Sequence, residues 1–272
     1  MSVIAQIQET VQYIRNVYPE TPEVGVVLGS GLGNFSSEIA VDVEIPYKDI
    51  PHFPVSTVKG HQGKLVFGRM AGKRIVAMAG RFHFYEGYDV NSIVFPIRVM
   101  KFLGIRLVMI SNAAGGVNPS FQVGDLMIIR DHISFATPNP LVGKNEDELG
   151  PRFPDMSEPY HKSYIRLARE VAKEESIHVH EGVYFAVTGP TFETRAEYQM
   201  IQHMGGDAVG MSTVQECITA NHMGLPVFAM SVITDMGIRE EENVITHEEV
   251  LEAAKSAEPK LTAIFKGIIA KA

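Results

Sequence analysis

A chain of 272 residues, 45% apolar and 21% charged, can hold one large domain or two small ones with ample core. Its net charge of −8, with no basic stripe to offset it, argues against nucleic acid and acidic membrane surfaces as partners, so an anionic ligand would need local positive groups. The single Cys217 excludes an internal disulfide, and nothing marks an oxidising compartment.

Val3, Ile4, Ile7, Val11 and Ile14 recur at three- and four-residue spacing, so the chain opens on an amphipathic helix and not on a cationic leader. No apolar run approaches membrane-spanning length, and the expectation is a cytoplasmic protein with no membrane partner. Residues 23–33, EVGVVLGSGLG, follow. Val24, Val26, Val27 and Leu28 suit a strand buried on both faces, and Gly29, Gly31 and Gly33 break it with Ser30 between the first two. Such a loop either cradles an anion, with Ser30 as a hydroxyl donor, or is a tight turn without a ligand. A dinucleotide fingerprint fails, because Asn34 stands where its third glycine would be.

Residues 46–56, with three prolines, read as a connecting loop, and residues 64–68 and 74–79 as paired strands joined across 70–73. The second strand runs into GRFHFYEGY at 80–88. Residues 91–103 read as a helix stopped by Gly104, and 105–110 as a buried strand leading into a small-residue loop, SNAAGG, at 111–116. The same alternation recurs with strands at 183–187, 208–210 and 227–233, and helices at 196–204 and 214–223. Thr246 and Glu249 form a capping box for a last helix, whose stripe is Leu251, Leu261, Ile264, Phe265 and Ile268, interrupted near Pro259. Helix, glycine, buried strand and small-residue loop in alternation is α/β architecture, in which ligands collect at strand ends. Residues 137–160, with five prolines and no periodicity, form a long loop suited to a lid or a subunit contact.

In an extended 81–86 segment, Arg81, His83 and Tyr85 share one face, about 7 Å apart at ~3.3 Å per residue, while Phe82 and Phe84 turn to the core. That face is either a solvent-exposed edge or a cationic rail whose guanidinium fork suits phosphate. Ser212 near a helix start and the backbone N–H groups around Ala113 are further anion ligands, or simply a cap and a turn. Phe192 and Glu193 offer an aromatic face beside a carboxylate for a heterocyclic base, unless Glu193 merely opens a helix. The ten histidines show no HExxH spacing, the lone cysteine cannot form a thiolate cluster, and no GxSxG elbow is present, so no metal centre or serine nucleophile is expected.

The ordered motifs GSGLG (29–33), FPVSTVKGH (53–61), GRFHFYEGY (80–88), NAAGG (112–116), RFPDMS (152–157), GPTFET (189–194), VGMSTVQE (209–216) and THEEVL (246–251) make the chain resemble the trimeric purine nucleoside phosphorylases over residues 25–251. The resemblance implies one α/β domain over residues 1–272, built on a mixed, barrel-like sheet surrounded by helices, and a homotrimer with sites at subunit borders. It implies a phosphate site of Ser30, His61, Arg81, His83, Ala113 and Ser212. Tyr85, Met211 and His247 would lie against the ribose, with Phe153 contributed by the neighbouring subunit. Phe192, Glu193 and Asp235 would hold the purine. His83, Glu193, Asp235 and His247 would carry the catalytic roles, with phosphate as co-substrate and no metal or organic cofactor. One position departs from the pattern. Members specific for 6-oxopurines carry SxITN, whereas this chain has SVITD, which places Asp235 where Asn would meet O6. The activity implied is phosphorolysis of purine ribonucleosides or 2′-deoxyribonucleosides such as inosine and guanosine, with tolerance for adenosine. The alternatives are a methylthioadenosine phosphorylase, a phosphate-independent nucleosidase, and a sensor that retains the fold without turnover.

Overall fold

The computed structural model describes residues 1–55, 62–238 and 245–272. Helix α1 (Val3–Val17) starts on Ser2, whose side chain accepts from the Ala5 N–H, and buries Ile4, Ile7, Thr10 and Ile14. Strand β1 (Val24–Val27) is buried along its whole length, as its unbroken apolar run requires. β3 (Lys64–Met70) and β4 (Lys73–Ala79) pair antiparallel. Ala71 and Gly72, both at positive φ, make the two-residue turn whose twist matches the strands. α2 (Val90–Leu103) runs from an Asp89 cap to Gly104, which takes the left-handed conformation.

Three elements had no counterpart in the sequence reading. β2 (Ala40–Pro46) is a largely exposed edge strand on β3, so its pattern is set by pairing and not by burial. The others are β6 (Leu126–Ile133) and α3 (Lys162–Glu174), an amphipathic helix burying Ile165, Ala168, Val171 and Ala172. Two expectations need correction. Residues 111–116 are not a loop: β5 (Leu107–Gly116) continues through them, paired with β9 (Val227–Met236). The 81–86 segment is extended only to His83 and then turns as a 3₁₀ helix, Phe84–Glu86, leaving Phe84 38% exposed while Phe82 is buried. The proline-rich stretch after β2 holds a 3₁₀ turn at Tyr47–Asp49, and its Ser56 lies outside the described residues.

β7 (His180–Ala186), α4 (Arg195–His203), β8 (Ala208–Gly210) and α5 (Val214–His222) lie close to the expected ranges. α6 (His247–Lys271) opens with the Thr246–Glu249 capping box and runs through Pro259 without a break. Residues 137–160 hold no helix or strand. No helix among the described residues is long and apolar enough to cross a membrane.

The strands form one mixed sheet in the order β2-β3-β4-β1-β5-β8-β7-β6-β9, and β9 returns to pair with β5. The ring β5-β8-β7-β6-β9 is therefore a closed barrel, with β1 and the β2–β4 meander extending from it and the helices outside: the α/β class expected. β5 belongs to both parts. Its first half pairs with β1 up to Ile110, and its end pairs with β8 from Gly115 onward. Between them, residues 111–114 have β9 on one side and no strand on the other. That opening is where the loops from the neighbouring strand ends converge.

Closeness is obligatory there. A Cβ on Gly29 would lie 2.8 Å from Asn112 Cα and 2.9 Å from the Ser111 carbonyl oxygen. Gly29→Ala should therefore force the end of β1 away from β5 and destabilise the fold by about 1–3 kcal/mol. The expected observation is a lower urea midpoint at unchanged m-value.

Candidate active site

The opening in the sheet leads into a cavity of ≈ 450 Å³. Ser30, Arg81, His83, Ala113 and Ser212 line one part of it, and Phe192, Glu193 and Asp235 another. Tyr85, Met211 and His247 also line it. Residues separated by more than 200 positions in the chain thus share one chamber, most of them delivered by the end of a strand or the start of a helix, and Ala113 from within β5.

Arg81 anchors the first group and is 1% exposed. Its Nη1 donates to the Ser111 carbonyl (2.8 Å) and to Ser212 Oγ (3.1 Å), the latter at the opening of α5. Its Nε donates to Glu216 Oε1 at 3.3 Å, and Nη2 lies 3.1 Å from Glu216 Oε2. The turn carrying Ser212 is held by Asn112 Nδ2, which donates to Thr213 Oγ1 at 2.9 Å. Thr213 has φ +74°, a left-handed conformation that costs a β-branched residue about 1–3 kcal/mol and that surrounding contacts must sustain.

His83 and Glu86 form a second buried unit. The His83 backbone N–H donates to Glu86 Oε1 (2.8 Å), and Nδ1 lies 3.2 Å from the same oxygen. Burial pushes the imidazole below its ordinary value of 6.5, against the pull of the Glu86 hydrogen bond. With Nδ1–H given to Glu86, the neutral ring presents Nε2 as an acceptor. The 3₁₀ turn brings Tyr85 back onto His83, the rings stacked at 4.7 Å and 15°, in place of the row spaced along a strand that alternation implied.

At the other part of the chamber burial raises the Glu193 carboxyl above 4.5, with Asp235 adding to the rise and the Tyr198 hydroxyl opposing it. Glu193 is not a helix residue: Thr194 is the N-cap of α4, and Glu197 completes that capping box. Thr234 Oγ1 donates to Asp235 Oδ1 at 3.1 Å. A Cβ on Gly115 would stand 2.9 Å from Asp235 Oδ2, so glycine leaves that carboxylate its room.

Phe153 is not in this chamber. It is 87% exposed, beside Arg152 in a separate hollow of the 137–160 loop. His61 lies outside the described residues. His180 pairs with Asp125 at 2.9 Å and lines no part of the cavity. Among the described residues no three metal-ligating side chains converge. The sequence reading gave no role to Glu216, Glu86 or Asn112. Glu216 and Glu86 lie inside motifs it singled out, but what makes them matter is a buried partner, and no spacing reveals that.

A family model described as the phosphorylase superfamily matches residues 23–270. Purine nucleoside phosphorylase 1 of Geobacillus stearothermophilus is 49% identical over 263 residues, covering 97% of this chain and 96% of that protein. Purine nucleoside phosphorylase of Bos taurus is 46% identical, covering 93% and 90%. Among solved structures, purine nucleoside phosphorylase of Schistosoma mansoni in complex with adenosine superposes with a TM-score of 0.95 at 40% identity, covering 100% and 99%. The same parasite's enzyme in complex with inosine also gives 0.95, at 39% identity and 100% and 98% coverage.

Because burial disfavours the charged form of Glu193, its neutral isostere should be the more stable. Glu193→Gln is expected to raise the thermal midpoint at pH 8, and the gain should vanish as pH falls through the raised carboxyl pKa toward 4.5, where the native side chain is itself protonated. Thermal melts of both proteins across that range check the sign.

Proposed function

The chain belongs to the phosphorylase superfamily, and from that membership we propose that it acts as a purine nucleoside phosphorylase with the roles below. The observation that carries this reading is the gathering of Ser30, Arg81, His83, Ala113 and Ser212 in the same cavity as Phe192, Glu193 and Asp235. Five groups suited to an oxyanion share a chamber with an aromatic face and two carboxylates suited to a base.

Arg81, Ser30, Ser212, the Ala113 N–H and His61 hold phosphate, and the neutral His83 accepts the hydrogen of the monoprotonated dianion. A phosphate oxygen forms a bond to C1′ as the bond from C1′ to the purine nitrogen breaks, and the electron pair departs with the base. The sugar passes through an oxocarbenium-like state, which the dianion stabilises from below. Holding phosphate beside C1′ removes much of the entropic cost of a bimolecular step. Glu193 and Asp235 hydrogen-bond the purine, and a proton passed to the ring offsets the negative charge that develops on it as the bond breaks. Tyr85, Met211 and His247 pack along the ribose, with His247 at the 5′-hydroxyl. The exposed Phe153 closes that side in a neighbouring copy of a homotrimer. The reaction takes place in the cytoplasm and uses no metal or organic cofactor.

Asp235 bears on the choice of base. As a carboxylate it offers acceptors only, which meet the 6-amino group of adenine and repel O6 of hypoxanthine or guanine. The range is thus inosine and guanosine with raised adenosine activity. His247 in the cavity disfavours a methylthioadenosine phosphorylase, whose thiomethyl group needs apolar surroundings.

Purine release from inosine and adenosine should require inorganic phosphate and saturate with it, and Arg81→Ala should lower kcat/KM by about 10²-fold. Release in phosphate-free buffer would instead mark a hydrolytic nucleosidase. Asp235→Asn should shift the ratio of kcat/KM values toward inosine over adenosine by about tenfold or more. An unchanged ratio would remove Asp235 from the determinants of base preference.

A further inference from the structure

Glu216 is a buried carboxylate in contact with Arg81 that the proposed chemistry leaves unused. It is 3% exposed and sits in the first turn of α5, four residues after Ser212, outside the cavity lining. Its two oxygens face Nε and Nη2 of Arg81 side-on, at 3.3 and 3.1 Å. The remaining nitrogen, Nη1, is directed at Ser111 and Ser212. The cation that would meet phosphate therefore already carries a full countercharge, on the side facing away from the chamber.

We propose that Glu216 is a positioning and counter-charge residue: it fixes the guanidinium plane of Arg81 and limits how tightly the site holds a phosphate dianion. The inference rests on the assignment of Arg81 to phosphate. A buried guanidinium with no internal partner would take the dianion as its counterion, in a setting where the attraction is little screened. Binding gained equally by reactant phosphate, transition state and sugar phosphate does not accelerate the chemical step, and it slows departure of the phosphorylated product. Glu216 returns one negative charge to the same guanidinium and so offsets that excess. Because α5 carries both Glu216 and the turn to Ser212, one element sets the orientation of Arg81 from both sides.

The test compares Glu216→Gln, which keeps length and one acceptor while removing charge, with Glu216→Asp, which keeps charge and shortens reach. Inorganic phosphate binding is measured by calorimetry, and KM is measured separately for phosphate and nucleoside. In Glu216→Gln the Kd for phosphate should fall by about tenfold or more, with kcat reduced and the nucleoside KM within about threefold of the parent. In Glu216→Asp the phosphate Kd should stay within about threefold. Phosphate binding unchanged or weakened in Glu216→Gln overturns the proposal, and so does equal movement of both KM values. If the Gln variant does not fold at all, Glu216→Asp decides, and tenfold weaker phosphate binding there overturns the counter-charge role. Arg81→Ala separates the two layers. Should it leave phosphate affinity unchanged, the phosphate assignment has failed. Should it weaken affinity while Glu216→Gln fails to tighten it, only the role of Glu216 has failed.

Discussion

The structure depends on a single strand that serves both parts of one sheet, the closed barrel and its extension. β5 leaves its pairing with β1 at Ile110 and takes up β8 at Gly115, and the four residues between have a strand on one side only. A gap in a ladder leaves backbone groups that need other partners, and here the gap becomes the floor of a cavity. Gly29 has no room for a Cβ because the end of β1 lies against Ser111 and Asn112, and Gly115 has none because Asp235 and Val209 stand over it.

Around the cavity, ionisable groups are handled in pairs. Arg81 faces Glu216, His83 faces Glu86, and Glu193 feels Asp235. The first pair sets opposite charges against each other and the second gives a carboxylate a ring N–H, so both orient side chains in a poorly solvated place. The third brings two carboxyls together: burial raises the Glu193 carboxyl above its ordinary value, and Asp235 adds to the rise.

The family relationship and the geometry meet at the residues that the motifs carry. Strength of likeness reaches 0.95 in TM-score with a structure that shares 40% of its residues with this chain. The departure at Asp235 sits within that shared frame, on β9, with Thr234 bonded to one carboxylate oxygen. A fold can keep its scaffold while the side chains of its site vary, because function is carried by the site and not by the fold.

The α/β alternation, the β3–β4 hairpin, the Gly104 stop and the Thr246–Glu249 box could all be read from the chain, because each rests on propensities within a few residues. The glycine loop was legible for the same local reason, whereas roles for Arg81, Glu193 and Ser212 came only from the resemblance of their motifs to a known family. Tertiary structure alone decided that residues 111–116 are strand and that Phe84 faces out, since both depend on what lies opposite in space. It also decided that β2 forms an edge, and that Arg81 spends its fork on a glutamate 135 residues away. Period and composition record the face a residue turns to the core, whereas pairing across the fold is settled only when distant segments close on one another.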